Sequence, residues 1–324
     1  MVHDPVANTL KPFDFERITS QVPELSRFDY SISSHSFRPL IDSSNMKPEI
    51  WIELVSVIES NYEKYDGFVV LHGTDTMAYT ASALSFMISG LEKPVVFTGS
   101  QLPIGEIRTD AKENLITAIE IAAQPQVKEV CIFFDYMLFR ANRASKFSSS
   151  KFEAFHSPNY PPLAEAGVHI KFNDHLLYSG SGKFSVNKSL DTRVGLLKIF
   201  PGMSPDFVEC ILNSKELKGL VLETFGSGNA PTDSWFIDAL KKAIDKGLVI
   251  YNVTQCSIGT VEQGRYETSV RLKQIGVVSG KDITTEAAVT KLMFVLGQQL
   301  SYNETCEYLE KSLCGEISNE RNNS

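Results

Sequence analysis

Short apolar runs alternate with amphipathic stretches along most of this chain, and that alternation limits the folds it can adopt. The run Gly67–Leu71 carries no polar side chain, which is typical of a strand covered on both faces. An apolar series at helical spacing follows it: Met77, Ala81, Leu84 and Ile88. Thr76 before this series and Gly90 after it mark the predicted ends of the helix.

The same unit recurs further along the chain. The pattern predicts strands at 94–98 and 130–134 around a helix at 110–123, then further strands at 194–200, 219–223 and 247–253, and closing helices after Thr284. Strands that alternate with helices form parallel sheets with right-handed crossovers. Such sheets bind ligands at the carboxyl ends of their strands, where the turn after Leu71 lies.

The length of 324 residues exceeds the usual size of one hydrophobic core, so two domains are expected. The predicted fold class is α/β. A larger N-terminal domain with a mostly parallel sheet flanked by helices covers residues 1–190, and a smaller C-terminal α/β domain covers residues 191–324. The polar tail from Glu316 to Ser324 is expected to extend into solvent.

Composition excludes several classes of partner. A net charge of −8 and a pI near 5.4 argue against nucleic acid, because binding phosphates requires clustered Lys and Arg. No apolar run approaches the roughly 18 residues that span a membrane. The five cysteines are scattered and form no C-x-x-C pair, which favours free thiols in a reducing compartment. Since the first residues do not resemble a secretory signal, the predicted location is the cytoplasm.

Three turns concentrate groups that could do chemistry: 41–46, 72–76 and 140–146. The turn 72–76 places two hydroxyls and a carboxylate between a strand and a helix. Helix capping explains such turns equally well when each is taken alone, with Ser44 or Asn45 opening the helix after the first of them. A lone Lys146 would usually be a solvated surface residue. The histidines and cysteines lack metal-ligand spacing, so neither a metal nor a cofactor is predicted.

Taken together, these residues resemble the asparaginase/glutaminase family, and in particular its cytoplasmic bacterial branch, type I. The similarity is strongest over residues 65–87, which include His72-Gly73-Thr74-Asp75-Thr76, and it continues through 226–231 and 254–256 to 290–292. It covers essentially the whole chain. The resemblance implies hydrolysis of L-asparagine to L-aspartate and ammonia through an acyl-enzyme on threonine, without metal or cofactor.

The resemblance also implies a role for each matching position. Thr74, Asp75 and Lys146 are the catalytic residues: the Lys146 amine can take the Thr74 proton, and Asp75 holds the substrate α-amino group. Ser43, with its neighbours Asp42 and Ser44, binds the amino-acid end of the substrate, and Ser100 lies where the family offers a backbone carbonyl to the amide. Family members are homodimers or homotetramers. His72 is expected to position the turn.

The chain departs from the family at its beginning. The family opens with a strand that ends in T-G-G-T-I-G, whose second threonine is regarded as the acylated nucleophile, and this sequence has no such motif. We therefore expect an internal methionine to have been taken as the start, and the 324-residue chain to be inactive while the full-length product is active. Two alternatives stay open: a non-catalytic protein that binds asparagine or aspartate, and an asparaginase-like subunit of a tRNA-dependent amidotransferase.

Overall fold

The structure of the protein, a computed structural model, describes residues 2–4, 9–11, 22–178, 180, 182–264 and 267–318. The helices are α1 Pro48–Asn61, α2 Met77–Met87, α3 Ala111–Ala122, α4 Pro205–Leu212, α5 Ser234–Asp245, α6 Glu267–Gln274, α7 Thr285–Gly297 and α8 Tyr302–Glu310. The strands are β1 Val2–Asp4, β2 Thr9–Lys11, β3 Phe68–Leu71, β4 Ile88–Ser89, β5 Val95–Thr98, β6 Val130–Phe134, β7 Met137–Arg140, β8 Ser145–Lys146, β9 Phe155–His156, β10 Ala164–Ala166, β11 Ile170–Phe172, β12 Ser185–Val186, β13 Val194–Lys198, β14 Gly219–Thr224, β15 Val249–Thr254 and β16 Val278–Ser279.

Contacts divide the chain into two compact units. The first comprises Met1–Ala81, Ser89–Ser157 and Pro161–Val186, and the second comprises Ser82–Ile88, Pro158–Tyr160 and Asn187–Ser324. The domain boundary near residue 190 stays a prediction. In the part of the chain that the structure describes, no helix is both long enough and apolar enough to cross a bilayer.

A six-stranded sheet with the order β11-β10-β7-β6-β5-β3 forms the centre of the first unit. β3, β5 and β6 are parallel, and Val95 lies opposite both Phe68 and Val130. The remaining neighbours pair antiparallel. β5 and β6 are buried along their whole length, as apolar strands inside a parallel sheet should be. The carboxyl ends of the three parallel strands consequently lie at the same end of the sheet.

β3 is less buried than its sequence predicts. Its first three residues are half-buried, and Leu71 is exposed. Among the described residues β3 pairs only with β5, so it forms an edge of the sheet. The prediction that both of its faces are covered is therefore wrong at Leu71, whose side chain is exposed.

The helix α2 agrees with the predicted inward positions but ends earlier than predicted. Met77, Ala81 and Leu84 are fully buried. The helix stops at Met87, and Ile88 belongs to β4 instead. Gly90 has a φ of 63°, a left-handed conformation that glycine adopts without steric cost, so it turns the chain after the short strand and does not end the helix.

The second unit contains a four-stranded parallel sheet with the order β13-β14-β15-β16. β13, β14 and β15 match the predicted runs to within a few residues, whereas β16 was not predicted. The predicted helices after Thr284 are present as α7 and α8. The Thr284 hydroxyl accepts a hydrogen bond from the backbone N–H of Ala287, and Ser301 and Glu304 form a reciprocal capping box at the start of α8. These caps fix where both helices begin.

A buried ion pair ties the C-terminal segment to α7. Lys291 Nζ lies 2.7 Å from Glu316 Oε1, and both side chains have a relative exposure of 0%. Lys291 also donates to the carbonyls of Leu309 and Lys311, and Glu316 accepts from the backbone N–H groups of Leu313 and Cys314. The expectation that the tail from Glu316 extends into solvent is therefore wrong for Glu316. Residues 319–324 of that tail lie outside the described residues.

Candidate active site

The turn 72–76 leaves the sheet at the carboxyl end of β3. The His72 N–H still donates to the carbonyl of Thr98 on the neighbouring strand, at 2.9 Å, so the turn starts from a fixed point. Thr74 is 9% exposed, whereas the side chain of Asp75 is 63% exposed. The turn thus holds a buried hydroxyl next to a carboxylate that faces solvent.

Lys146 reaches this turn from a different part of the first unit. It lies in the short strand β8, where it pairs with Phe155 of β9. Its Nζ is 2.8 Å from Thr74 Oγ1 and 2.6 Å from Asp75 Oδ1, and 17% of its side chain is exposed. Lys146 is thus within hydrogen-bond distance of both other residues predicted to be catalytic. A solvated surface lysine would not be oriented by two such contacts.

The segment before Lys146 is anchored by a buried ion pair. Arg140 Nε donates to Glu129 Oε2 at 2.6 Å, and each side chain is 6% exposed. Arg140 also donates to the carbonyl of Leu176, and the Glu129 carboxylate accepts from the N–H of Tyr178. Additional hydrogen bonds of this kind are what make a buried ion pair tolerable. Asn142 and Arg143 are buried as well, so much of the polar run 140–146 lies in the interior and does not face solvent.

The turn around Ser43 packs directly against the turn 72–76. A β-carbon at Gly73 would lie 2.4 Å from Ser43 Oγ, so the two chains approach as closely as glycine allows. The Thr76 hydroxyl donates to the carbonyl of Ser43 at 2.7 Å. Ser43 is buried and held from both sides. The hydrogen bond of Thr76 therefore joins two predicted site segments.

Asp42 and Ser44 interact mainly with each other. Asp42 Oδ1 accepts from the N–H of Ser44 at 2.8 Å and from its hydroxyl at 2.7 Å. Both hydrogen bonds from Ser44 lower the pKa of Asp42 below its ordinary value, and that of the hydroxyl has the larger effect. Asp42 caps the 3-10 helix Ser43–Asn45, and α1 begins at Pro48 after Lys47 without a side-chain cap. The alternative in which Ser44 or Asn45 opens the long helix is therefore wrong.

Ser100 lies in the turn after β5, beside the turn 72–76. The preceding residue, Gly99, packs closely against the turn 72–76, because a β-carbon at Gly99 would lie 2.3 Å from the carbonyl oxygen of His72. Asn114 of α3 donates to the carbonyl of Gly99 at 3.0 Å. These contacts fix the backbone just before Ser100, whose own side chain is half-buried.

His72 stabilises the turn from within. Its Nδ1 is 2.7 Å from the carbonyl oxygen of Gly73, and Nε2 is buried without a hydrogen-bond partner among the described residues. Burial lowers the pKa of His72 below 6.5, and the hydrogen bond to Gly73 opposes this shift only in part. A neutral ring that donates its Nδ1 proton to Gly73 fits both observations. Across the described ranges, no group of three His, Cys, Asp or Glu residues is arranged to hold a metal ion.

Two family models cover most of the sequence. The one described as "Asparaginase, N-terminal" matches residues 1–178, and the one described as "Glutaminase/Asparaginase C-terminal domain" matches residues 193–309. The chain is 43% identical over 304 residues to L-asparaginase 1 of Escherichia coli K12, a match that covers 93% of this chain and 90% of that protein. The chain belongs to the asparaginase family.

Solved structures agree with this asparaginase assignment. L-asparaginase I from Vibrio cholerae O1 biovar eltor superposes with a TM-score of 0.88 at 42% identity, over 94% of this chain and 92% of that one. A probable cytoplasmic L-asparaginase from Campylobacter jejuni superposes with a TM-score of 0.80 at 26% identity, over 92% and 94% of the two chains. The two-domain α/β asparaginase fold predicted from the sequence is confirmed.

The structure of this asparaginase-family chain adds a residue to which the sequence analysis gave no role. Thr74 Oγ1 is 3.2 Å from Gln101 Oε1, and the N–H of Gln101 donates to both carboxylate oxygens of Asp110. Gln101 directly follows Ser100, and only this position next to a predicted site residue could have pointed to it from the sequence. Its link to Thr74 depends on how two turns meet in three dimensions, which residue spacing does not encode.

Proposed function

We propose that this protein hydrolyses the side-chain amide of L-asparagine to L-aspartate and ammonia. The observation that supports this best is the contact of Lys146 Nζ with both Thr74 Oγ1 and Asp75 Oδ1. An amine beside a buried hydroxyl can move a proton, and a carboxylate beside the amine can hold it in place. The chain's similarity to named L-asparaginases points to the same reaction.

In this reaction the attacking threonine hydroxyl adds to the amide carbon and gives up its proton. Thr74 Oγ1 accepts that proton while its own passes to the amine of Lys146. The proton then returns to the leaving nitrogen as the carbon–nitrogen bond breaks, and ammonia departs. A water molecule releases L-aspartate from the acyl-enzyme by the same route. Which threonine carries the acyl group stays a prediction.

Recognition of the amino acid follows from the two turns that pack together. Asp75 presents an exposed carboxylate to the α-amino group, and the turn around Ser43 presents hydroxyl and N–H donors to the α-carboxylate. Asp42 orients Ser44 within that turn, and Ser100 offers a backbone carbonyl to the amide nitrogen. The protein acts in the cytoplasm and assembles as a homodimer or homotetramer. Light scattering on the purified protein tests the number of subunits.

The experiment measures ammonia release from L-asparagine and L-aspartate binding on one purified sample. Two forms are compared: the 324-residue chain and the product translated from the nearest in-frame upstream start. Lys146→Met and Thr74→Val should each lower kcat by roughly 10²–10⁴-fold, the usual range for lost acid–base catalysis. Lys171→Met, an exposed lysine of β11, is the matched control and should leave kcat unchanged.

The outcomes separate the candidate functions. Ammonia release that depends on Lys146 and Thr74 supports the hydrolase. Aspartate binding without ammonia release from either form would instead support the non-catalytic binding protein. Activity confined to the longer form would support the prediction that the acylated threonine lies upstream. Release that survives both substitutions would contradict the proposal.

A further inference from the structure

The side chain of Gln101 connects Thr74 with the loop that follows Lys146. Its Oε1 lies 3.2 Å from Thr74 Oγ1. Its Nε2 lies 2.9 Å from the carbonyl oxygen of Lys151 and 3.4 Å from that of Ser148. One amide therefore contacts the turn 72–76 on one side and the loop 147–154 on the other.

These contacts determine which way the amide faces. A carbonyl oxygen can only accept a hydrogen bond, so the end of Gln101 that faces two carbonyls must be its NH₂ group. The oxygen of the amide then faces Thr74. Because that oxygen can only accept, the Thr74 hydroxyl must be the donor of this hydrogen bond.

The orientation has a consequence for the proton of Thr74. A hydroxyl has one proton, and in this arrangement the proton points at Gln101. The lone pairs of Thr74 Oγ1 are then free to accept a hydrogen bond from Lys146 Nζ, 2.8 Å away.

The backbone of Gln101 is held as firmly as its side chain. The Asp110 carboxylate accepts from the N–H groups of Gln101 and Leu102, at distances from 2.9 to 3.1 Å. Asn114 donates to the same carboxylate and to the carbonyl of Gly99. The turn that carries Gln101 is thereby fixed to the start of α3, so its amide has a defined location relative to Thr74.

From these contacts we infer that Gln101 is a positioning residue that sets the direction of the Thr74 hydroxyl and links it to the loop 147–154. The inference rests on the proposed function of Thr74 as a proton carrier. Gln101 acts through Thr74 and need not touch the substrate. It keeps the hydroxyl in one orientation, with its oxygen directed at Lys146.

The test replaces Gln101 with two side chains of similar length. Gln101→Met removes the hydrogen bonds to Thr74 and to the loop, whereas Gln101→Glu keeps an acceptor for Thr74 and loses the donor to the loop. Gln126→Met is the control, because Gln126 lies exposed at the surface and donates to Gln124. Thermal unfolding and L-aspartate binding establish that each variant is folded.

Kinetics supply the first readout. Gln101→Met should lower kcat about tenfold, because losing one ordinary hydrogen bond changes a rate by about that factor. KM should stay within about twofold of the parent. Gln101→Glu should recover part of that loss. A residue that only supports the fold would not produce this recovery.

The second readout does not depend on turnover. The Thr74 methyl group is followed by NMR in protein with carbon-labelled threonine methyls, and Thr74→Val identifies its signal. One sharp signal is expected in the parent and in Gln126→Met, and a shifted or broadened one in Gln101→Met. An unchanged methyl signal in Gln101→Met overturns the inference, whether or not the protein releases ammonia. Absence of ammonia release with a changed methyl signal counts against the proposed function alone.

Discussion

Gly73 sets the distance between the turn 72–76 and the turn around Ser43. Because a β-carbon there would lie 2.4 Å from Ser43 Oγ and 2.8 Å from Ser43 Cβ, Gly73→Ala must push Ser43 away. We expect a loss of about 1–3 kcal/mol in the free energy of unfolding, as for other overpacked sites, together with weaker L-aspartate binding. Urea denaturation and calorimetric titration measure the two effects.

Gly105→Ala provides the control for that substitution. A β-carbon at Gly105 would meet no atom within 4 Å, so the same chemical change occurs there in open space. Its stability and aspartate affinity should equal those of the parent. If Gly73→Ala behaved like Gly105→Ala, the close packing of Gly73 on Ser43 would not constrain the site.

Residue by residue, the sequence indicated those parts of the site that lie in short contiguous runs. Thr74 and Asp75 are neighbours, and Asp42 to Ser44 form a second run, so a motif is enough to propose them. Gln101 is different, because its role depends on the carbonyls of Ser148 and Lys151. Backbone groups of a distant loop leave no signature in the residue types.

The C-terminal segment depends on one buried carboxylate. Glu316→Gln removes the charge that faces Lys291 and leaves a buried ammonium without its counterion. Loss of one partner of a buried pair usually costs about 3–5 kcal/mol of stability. We expect a loss in that range by urea denaturation at pH 7. The double variant Lys291→Met/Glu316→Gln should be less destabilised than Glu316→Gln alone, because no unpaired charge remains.

The same pair gives stability a specific dependence on pH. Burial alone would raise the pKa of Glu316, but the Lys291 charge, its hydrogen bond and the N–H groups of Cys314 and Leu313 together lower that pKa below 4.5. A depressed carboxyl pKa contributes stability that is present above the unfolded value and is lost as pH falls through the folded value. The stability difference between parent and Glu316→Gln should therefore shrink as pH drops below about 4.5.

An exposed ion pair in the same region serves as the control. Glu307 and Lys311 lie at i and i+4, with about two thirds of each side chain exposed. Glu307→Gln should change the free energy of unfolding by less than about 0.5 kcal/mol, since surface pairs contribute little. Equal losses for Glu307→Gln and Glu316→Gln would contradict the role assigned to the buried pair.

Among the elements, interior strands are predicted better than ends and edges. β6 has the predicted bounds because its apolar run is short and flanked by polar residues. β3 has an equally apolar run, yet among the described residues it lies at an edge of its sheet. A run of apolar residues does not show how many strands will pair with it. The end of α2 is misplaced by a few residues because the apolar spacing continues through Ile88 into a strand.

At the scale of the whole molecule, the five free cysteines can report how the fold opens. Cys131 is fully buried in β6, and burial raises the pKa of its thiol well above the ordinary value. Cys210 and Cys256 are exposed. Because the thiolate is the reactive form, Cys210 and Cys256 should be alkylated quickly and Cys131 only when the first unit opens. Mass spectrometry of peptides after timed alkylation measures each rate.

The unfolded protein is the reference for this experiment. In denaturing urea all five thiols should react at similar rates, which shows that burial causes the difference in the native protein. Reducing agent should leave the melting temperature unchanged, since all five cysteines are free. Labelling of Cys131 in native protein as fast as that of Cys210 would contradict the buried position of β6.

The overall architecture was accessible from the sequence because alternating strands and helices leave few topologies. The assignment of chain segments to the two units was not accessible from the sequence. The first unit excludes residues 82–88 and 158–160, which belong to the second, although both segments lie within the first 190 residues. Membership of this kind depends on which core a segment packs against, and a sequence pattern marks only that a residue is buried.

The pairing of β8 with β9 has a practical consequence for redesign of the protein. Lys146 is held opposite Phe155, and the connection between these strands supplies both carbonyls that orient Gln101. Insertions or swapped sequences at 147–154 would therefore alter the amine and the hydroxyl together. Loop libraries confined to that connection would change the surroundings of Lys146 and Thr74 while both of these side chains stay unchanged.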